Sequence, residues 1–156
     1  MKIHWKLLIL CVALPLGVGA VSALLTRESM GIFESLNQPA LSPPGWLFPV
    51  VWTILYTLMG ISSYLILTSK ADLDEVWKAI SIYGYQLVVN FLWPSLFFHF
   101  RWYFLSFVWL LLLIVLVIVM IWRFYKIQKR AAYLNIPYLL WLFFAGYLNF
   151  FIYLLN

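Results

Sequence analysis

The sequence predicts an all-α integral membrane protein, a single domain over residues 1–156 folded as a bundle of five transmembrane helices. Three observations lead there. Of 156 residues, 66% are hydrophobic and 21% aromatic, whereas Lys, Arg, Asp and Glu together number 15; soluble domains carry roughly a quarter charged residues. A globule of this size has too little interior for so many Leu, Phe and Trp side chains, so the surplus must face lipid. Those residues also gather in five stretches of about 20, the length a helix rising about 1.5 Å per residue needs to cross roughly 30 Å of hydrocarbon. Finally, the stretches are continuously apolar and lack period-two alternation, which selects helices over barrel strands.

The first stretch runs from Trp5 to Leu25. Its small pairs Ala13/Gly17 and Gly19/Ala23, each at i, i+4, suit close helix packing. A rival reading is a cleaved leader, with Lys2 and Lys6 before the apolar core and Val21-Ser22-Ala23 as a small-residue cleavage site. Residues 26–45 form a partly helical loop: Met30, Phe33, Leu36 and Asn37 follow helical spacing, Gln38-Pro39 ends the helix, and Ser42-Pro43-Pro44-Gly45 is stiff. This loop is either a lid over a cavity between the helices or a connector resting on the headgroups. The second span covers Trp46 to Leu67, and the third, Trp77 to Phe98, follows the acidic loop Lys70 to Glu75. Pro94 lies deep in the third span and should kink it. The turn from His99 to Tyr103 is so short that the third span and the fourth, Phe104 to Trp122, must be antiparallel neighbours. The fifth span is Ala132 to Leu155, with Pro137 in its first turns. Charges stay out of the span interiors, apart from Lys6 and Lys78 near helix ends, where long side chains snorkel. Trp5, Trp46, Trp77, Trp102 and Trp122 sit at span ends and fit an interfacial aromatic belt.

Lys2, Lys6, Lys70, Lys78, Arg123, Lys126, Lys129 and Arg130 fall on one side of the membrane, and only Arg27 and Arg101 on the other. The positive-inside rule then places the amino terminus in the cytoplasm and Asn156 outside. The net charge of +5 follows from this topology, so no nucleic-acid partner is expected; an anionic-lipid site in Arg123 to Arg130 is the weaker alternative. Cys11 is alone, which excludes an intramolecular disulfide and a cysteine-based metal site. No acidic residue lies in a span and both histidines lie at span ends, so neither hydrolysis, nor metal chemistry, nor a cofactor is expected.

The informative residues are the few polar and the deep aromatic ones. Gln86, Asn90, Trp93 and Phe97, spaced by four, three and four, put two amides and two rings on one inward face of the third span. Hydrogen bonding between neighbouring helices, on the order of 0.6 kcal/mol per bond, is the competing role, above all for Gln86; Asn90, flanked by rings, is the better ligand contact. Trp52, Tyr56 and Met59 form a stripe on the second span, and Trp141, Ala145 and Leu148 on the fifth, where small Ala145 opposite large rings leaves room for a flat guest. The belt does not account for Trp52, Trp93 and Trp141, which lie deeper.

Read together, Pro39, Ser42-Pro43-Pro44-Gly45-Trp46, Phe48, Trp52-Thr53, Leu55-Tyr56, Tyr85-Gln86-Leu87, Asn90, Trp93, Phe97-Phe98, Pro137-Tyr138, Trp141, Ala145 and Leu148-Asn149 resemble the tryptophan-rich sensory protein family, also known as the translocator protein or peripheral benzodiazepine receptor family. The resemblance covers nearly the whole chain. It implies a five-helix bundle, often dimeric, with a pocket under the first loop that binds porphyrins such as protoporphyrin IX and isoquinoline drugs, and a link to tetrapyrrole and stress regulation. By position, Trp52, Asn90, Trp93, Trp141, Ala145 and Leu148 would line that pocket, with Trp52 and Trp141 matching tryptophans connected with light-dependent porphyrin degradation. Three departures stand out. Leu41 replaces a frequent tryptophan, Trp109 occupies a position that is often acidic, and the tail Phe150 to Asn156 lacks the basic residue of the animal sterol motif.

The expectation is therefore a receptor-like protein of a bacterial cytoplasmic membrane whose partners are the bilayer, a porphyrin or similar flat apolar molecule, and a second copy of itself. Trp52, Tyr56, Gln86, Asn90, Trp93, Phe97, Trp141, Ala145 and Leu148 are the candidate ligand contacts. A porphyrin-degrading enzyme using Trp52 and Trp141 as catalytic residues is one alternative. A transporter is the other, although no span carries an ionisable residue to couple transport to a proton.

Overall fold

In hydrocarbon every backbone N–H and C=O must find its partner within the chain, and this chain answers with helix nearly throughout. The computed structural model describes residues 2–29 and 31–156. In chain order the elements are α1 (Trp5–Thr26), α2 (Gly31–Ser35), α3 (Leu47–Leu67), α4 (Leu73–Pro94), a π-helical turn (Ser95–His99), α5 (Tyr103–Ile127), α6 (Lys129–Tyr133) and α7 (Ile136–Leu155). The five long helices α1, α3, α4, α5 and α7 make the bundle. Stretches Trp5–Thr26, Leu47–Leu67, Tyr103–Ile127 and Lys129–Leu155 are each long and apolar enough to cross a membrane on their own. Helix α4 is the more polar one: Asp74, Glu75 and Lys78 stand in its first turns, where Lys78 pairs with both carboxylates at 3.1 and 3.6 Å, and Gln86 and Asn90 lie buried in its middle.

Helix α1 packs along α3, α4 on α5, and α5 on α7, so the short turn does make α4 and α5 neighbours. The core holds Met59, Ile66, Val117, Met120, Phe124 and Leu142, all fully buried, while Leu10, Leu14, Leu24, Val115 and Leu140 face outward. Two glycines bring α1 and α3 together. A Cβ on Gly60 would lie 2.6 Å from the Cys11 carbonyl oxygen and 2.5 Å from Val12 Cα, and Gly19 lies beneath the Tyr56 ring. Gly19 is thus a packing position, whereas Ala13, Gly17 and Ala23 lie on the exposed side of α1, and a Cβ at Gly17 would meet nothing within 4 Å.

Helix ends differ from the expected ones for local reasons. Helix α4 begins at Leu73, where Asp74 and Glu75 complement the positive end of its dipole. The last span is broken into α6 and α7 at Leu134-Asn135, and Pro137, whose missing N–H costs nothing in a first turn, starts the new helix. Asn135 pins the break to α3 by donating to Ser62 Oγ (2.7 Å) and to the Ala131 carbonyl (3.0 Å). Pro94 does more than kink its helix. The Ser95 N–H turns to Leu92 O, the Phe91 carbonyl instead accepts from Ser22 Oγ of α1 at 3.2 Å, and the chain continues as the π-helical turn, closed by Phe100 N–H donating to Ser95 O at 3.0 Å.

The loop after α1 carries α2, with Phe33 buried and Leu36 half-buried; Met30 of the predicted spacing lies outside the described residues. Gln38 Nε2 donates to Phe33 O at 2.6 Å and stops the helix. The loop is tied to α7 at two places. Tyr147 OH donates to Ala40 O at 2.6 Å, and Asn37 N–H and carbonyl pair with the Asn156 side chain at 3.2 and 2.9 Å. Leu41, at φ 69°, turns the chain and is the most exposed large apolar residue there, at 84%.

Candidate ligand-binding site

Where α1, α3, α4 and α7 meet beneath the loop, a cavity of about 440 Å³ opens, within the range of small-molecule sites. Helix α3 contributes Phe48, Trp52 and Tyr56, four residues apart and so on one stripe. Trp52 stacks on Tyr56 with centroids 5.4 Å apart. Helix α4 and the turn after it contribute Asn90, Trp93, Phe97 and Phe98, with Trp93 stacked on Phe97 at 5.1 Å. Helix α7 contributes Trp141, Ala145, Leu148 and Asn149. From the loop, Phe33 closes the wall by meeting Phe48 edge-on at 5.2 Å.

Of the predicted contacts, Trp52, Tyr56, Asn90, Trp93, Phe97, Trp141, Ala145 and Leu148 all line this cavity. Gln86 does not border it. It is fully buried, one turn further from the loop than Asn90, where Tyr138 OH donates to its Oε1 at 2.7 Å and its Nε2 faces Met59 Sδ at 3.8 Å. Met59, on the predicted α3 stripe, is buried with it.

Gln86 instead supports the floor. Tyr56 OH donates to Asn90 Oδ1 (3.1 Å), Asn90 Nδ2 donates to Tyr138 OH (2.8 Å), and Tyr138 OH donates on to Gln86. Hydrogen bonds running in one direction polarise one another and rigidify the group. Asn90 Nδ2 carries two hydrogens and, among the described residues, spends one, which leaves a donor at the cavity wall for a guest's oxygen.

Sequence reasoning missed Asn149 as a site residue. Its Oδ1 accepts from Trp93 Nε1 and from Ser106 Oγ, both at 3.1 Å, and its Nδ2 donates to Tyr103 O at 2.8 Å. It therefore fixes the plane of the Trp93 indole. The signal was present, since Trp141, Ala145 and Asn149 follow at intervals of four. The α1 wall, including Leu16, Gly19 and Ser22, was also missed, because an all-apolar helix gives no facial contrast to read. Trp109 stands away from the cavity and donates to Val89 O at 2.8 Å.

Fold and site together define an integral membrane protein with an aromatic-walled cavity among its spans and a folded loop above it. The chain matches the model of the TspO/MBR family over residues 11–155 and belongs to that family. It is 35% identical over 150 residues to the tryptophan-rich protein TspO of Chlorobaculum tepidum, covering 96% of this chain and 95% of that one. It is 30% identical over 150 residues to the tryptophan-rich sensory protein of Cereibacter sphaeroides (96% and 91% covered). To the translocator protein of Bos taurus it is 35% identical over 139 residues (88% and 82% covered).

Proposed function

We propose that the protein is a receptor-like membrane protein that binds porphyrins of the protoporphyrin class, and similar flat apolar molecules, in this cavity. The observation that carries the reading is the placement of Trp52, Trp93 and Trp141, from three different helices, around one apolar space with Asn90 at its floor. Stacking on indole and phenol rings and burial of a macrocycle supply affinity, and the spare Asn90 N–H orients the guest. The family link to tetrapyrrole and stress regulation, a homodimeric state, and an amino terminus in the cytoplasm belong to the same proposal. The test is intrinsic tryptophan fluorescence of the purified protein, which protoporphyrin should quench saturably. Quenching that rises linearly, as detergent partitioning does, overturns it.

A second reading, light-dependent porphyrin breakdown, is favoured by Trp52 and Trp141 both bordering the cavity. An indole there can give an electron to a photoexcited macrocycle, with dioxygen as the terminal oxidant. Ion-coupled transport gains no support, since among the described residues none bordering the cavity is Asp, Glu, Lys, Arg or His.

A further inference from the structure

We infer that the guest reaches the cavity sideways from the lipid phase, through a gap between α1 and α3, and not from water past the loop. This rests on the proposed binding site and concerns the source of its ligand.

Four residues that line the cavity are also exposed, the only ones of its lining among the described residues: Ala20 and Ala23 on α1, Pro49 and Thr53 on α3. A side chain that borders an internal space and the outer surface at once marks an opening. Ala20 and Ala23 are three apart and Pro49 and Thr53 four apart, so each pair forms one edge along its helix. The cause is a change in packing along the two helices. At Gly60 the backbones touch, with the would-be Cβ 2.6 Å from Cys11 O, and at Gly19 α1 still lies against the Tyr56 ring. Toward the loop the two edges, Ala20 and Ala23 facing Thr53 and Pro49, carry only methyls, a short hydroxyl and a proline ring.

The opening lies within the hydrocarbon. Counting from the exposed Trp46 at the start of α3, Pro49 and Thr53 are about 5 and 10 Å deep at roughly 1.5 Å per residue. The one polar side chain on its rim is already satisfied, since Thr53 Oγ1 donates to Pro49 O at 2.7 Å, so the rim meets acyl chains without an unpaired group. The loop side is tied down by contrast. The loop is bonded to α7 through Ala40 and Asn37, and Phe33 is wedged against Phe48 and Phe98 with centroids 5.2 and 6.4 Å away. A flat, sparingly soluble molecule is concentrated in the bilayer, where this opening faces it.

The test follows protoporphyrin binding by stopped-flow tryptophan quenching on the full chain in phosphatidylcholine vesicles. Ala23→Phe, which narrows the gap, should slow association and dissociation together, each at least tenfold, because a barrier acts in both directions while a lost contact speeds release. Tyr147→Phe, which frees the loop from Ala40 O, should leave the association rate within twofold. Independently, Thr53→Phe on the facing edge should slow both rates in the same way. Rates unaltered by both Ala23→Phe and Thr53→Phe, or an association rate raised by Tyr147→Phe, overturn the lateral route. Should Ala23→Phe fail to fold, Thr53→Phe decides. Absence of saturable binding in the wild type is a separate result that removes the proposed function and this inference with it.

Discussion

Ala145 and the indoles divide the work of the site between space and surface. Replacing Ala145 by Phe puts a ring where the guest should lie, and ligand affinity should drop at least tenfold, about 1.4 kcal/mol, with the helical circular-dichroism signal retained. Unchanged affinity would place the ligand elsewhere. Trp52→Phe and Trp141→Phe keep an aromatic face and should alter affinity only modestly. If the protein also degrades porphyrin, bleaching of the porphyrin spectrum in light should collapse in both variants, because a phenyl ring is far harder to oxidise than indole. Rapid bleaching that survives both substitutions removes the role assigned to these tryptophans. At this scale the site was largely readable, since helical spacing alone aligns Trp52 with Tyr56 and Asn90 with Trp93 and Phe97. Gln86 shows where that reasoning stops. Spacing tells which face a side chain occupies but not how deep along the helix the cavity ends, and one turn below Asn90 the same face is already sealed by Tyr138 and Met59.

Among the elements, α1 and α3 depend on contact between backbones. Gly60→Ala sets a methyl against Val12 Cα and the Cys11 carbonyl, atoms that cannot swing aside, so the helices must part at a cost of about 1–3 kcal/mol. Thermal unfolding followed by circular dichroism should show the loss, while Gly84→Ala, whose methyl meets open space, should not lower the transition. An equal response of both variants would count against close α1–α3 packing. The helix count followed from hydropathy and length, but the ends did not. Polar first turns hid the start of α4 at Leu73, and the break at Leu134-Asn135 depends on a tertiary bond from Asn135 to Ser62 that no local pattern announces. Pro94 was recognisable as a disturbance, yet its outcome, a π-helical turn that brings Phe97 and Phe98 into the same wall, rests on Ser22 of another helix taking up a released carbonyl.

For the whole molecule, the distribution of basic residues sets the expected orientation. A cysteine added after Asn156 should react with an impermeant thiol reagent on intact cells, because eight of the ten Lys and Arg residues in the sequence lie on the opposite side. Labelling only after lysis would reverse the orientation. The cavity itself has a property that this charge asymmetry does not touch. Among the described residues its border holds indoles, phenyl rings, a phenol, hydroxyls and amides, with no carboxylate, amine, imidazole or thiol; Glu34 borders an adjoining recess beside Gly45. Such a wall keeps the same protonation state from roughly pH 6 to 8. A neutral guest should therefore be held equally well across that interval in a binding titration, and any pH dependence seen with a carboxylated porphyrin reports the protonation of the guest, so that the protein selects among the ionic forms of its ligand without itself changing charge.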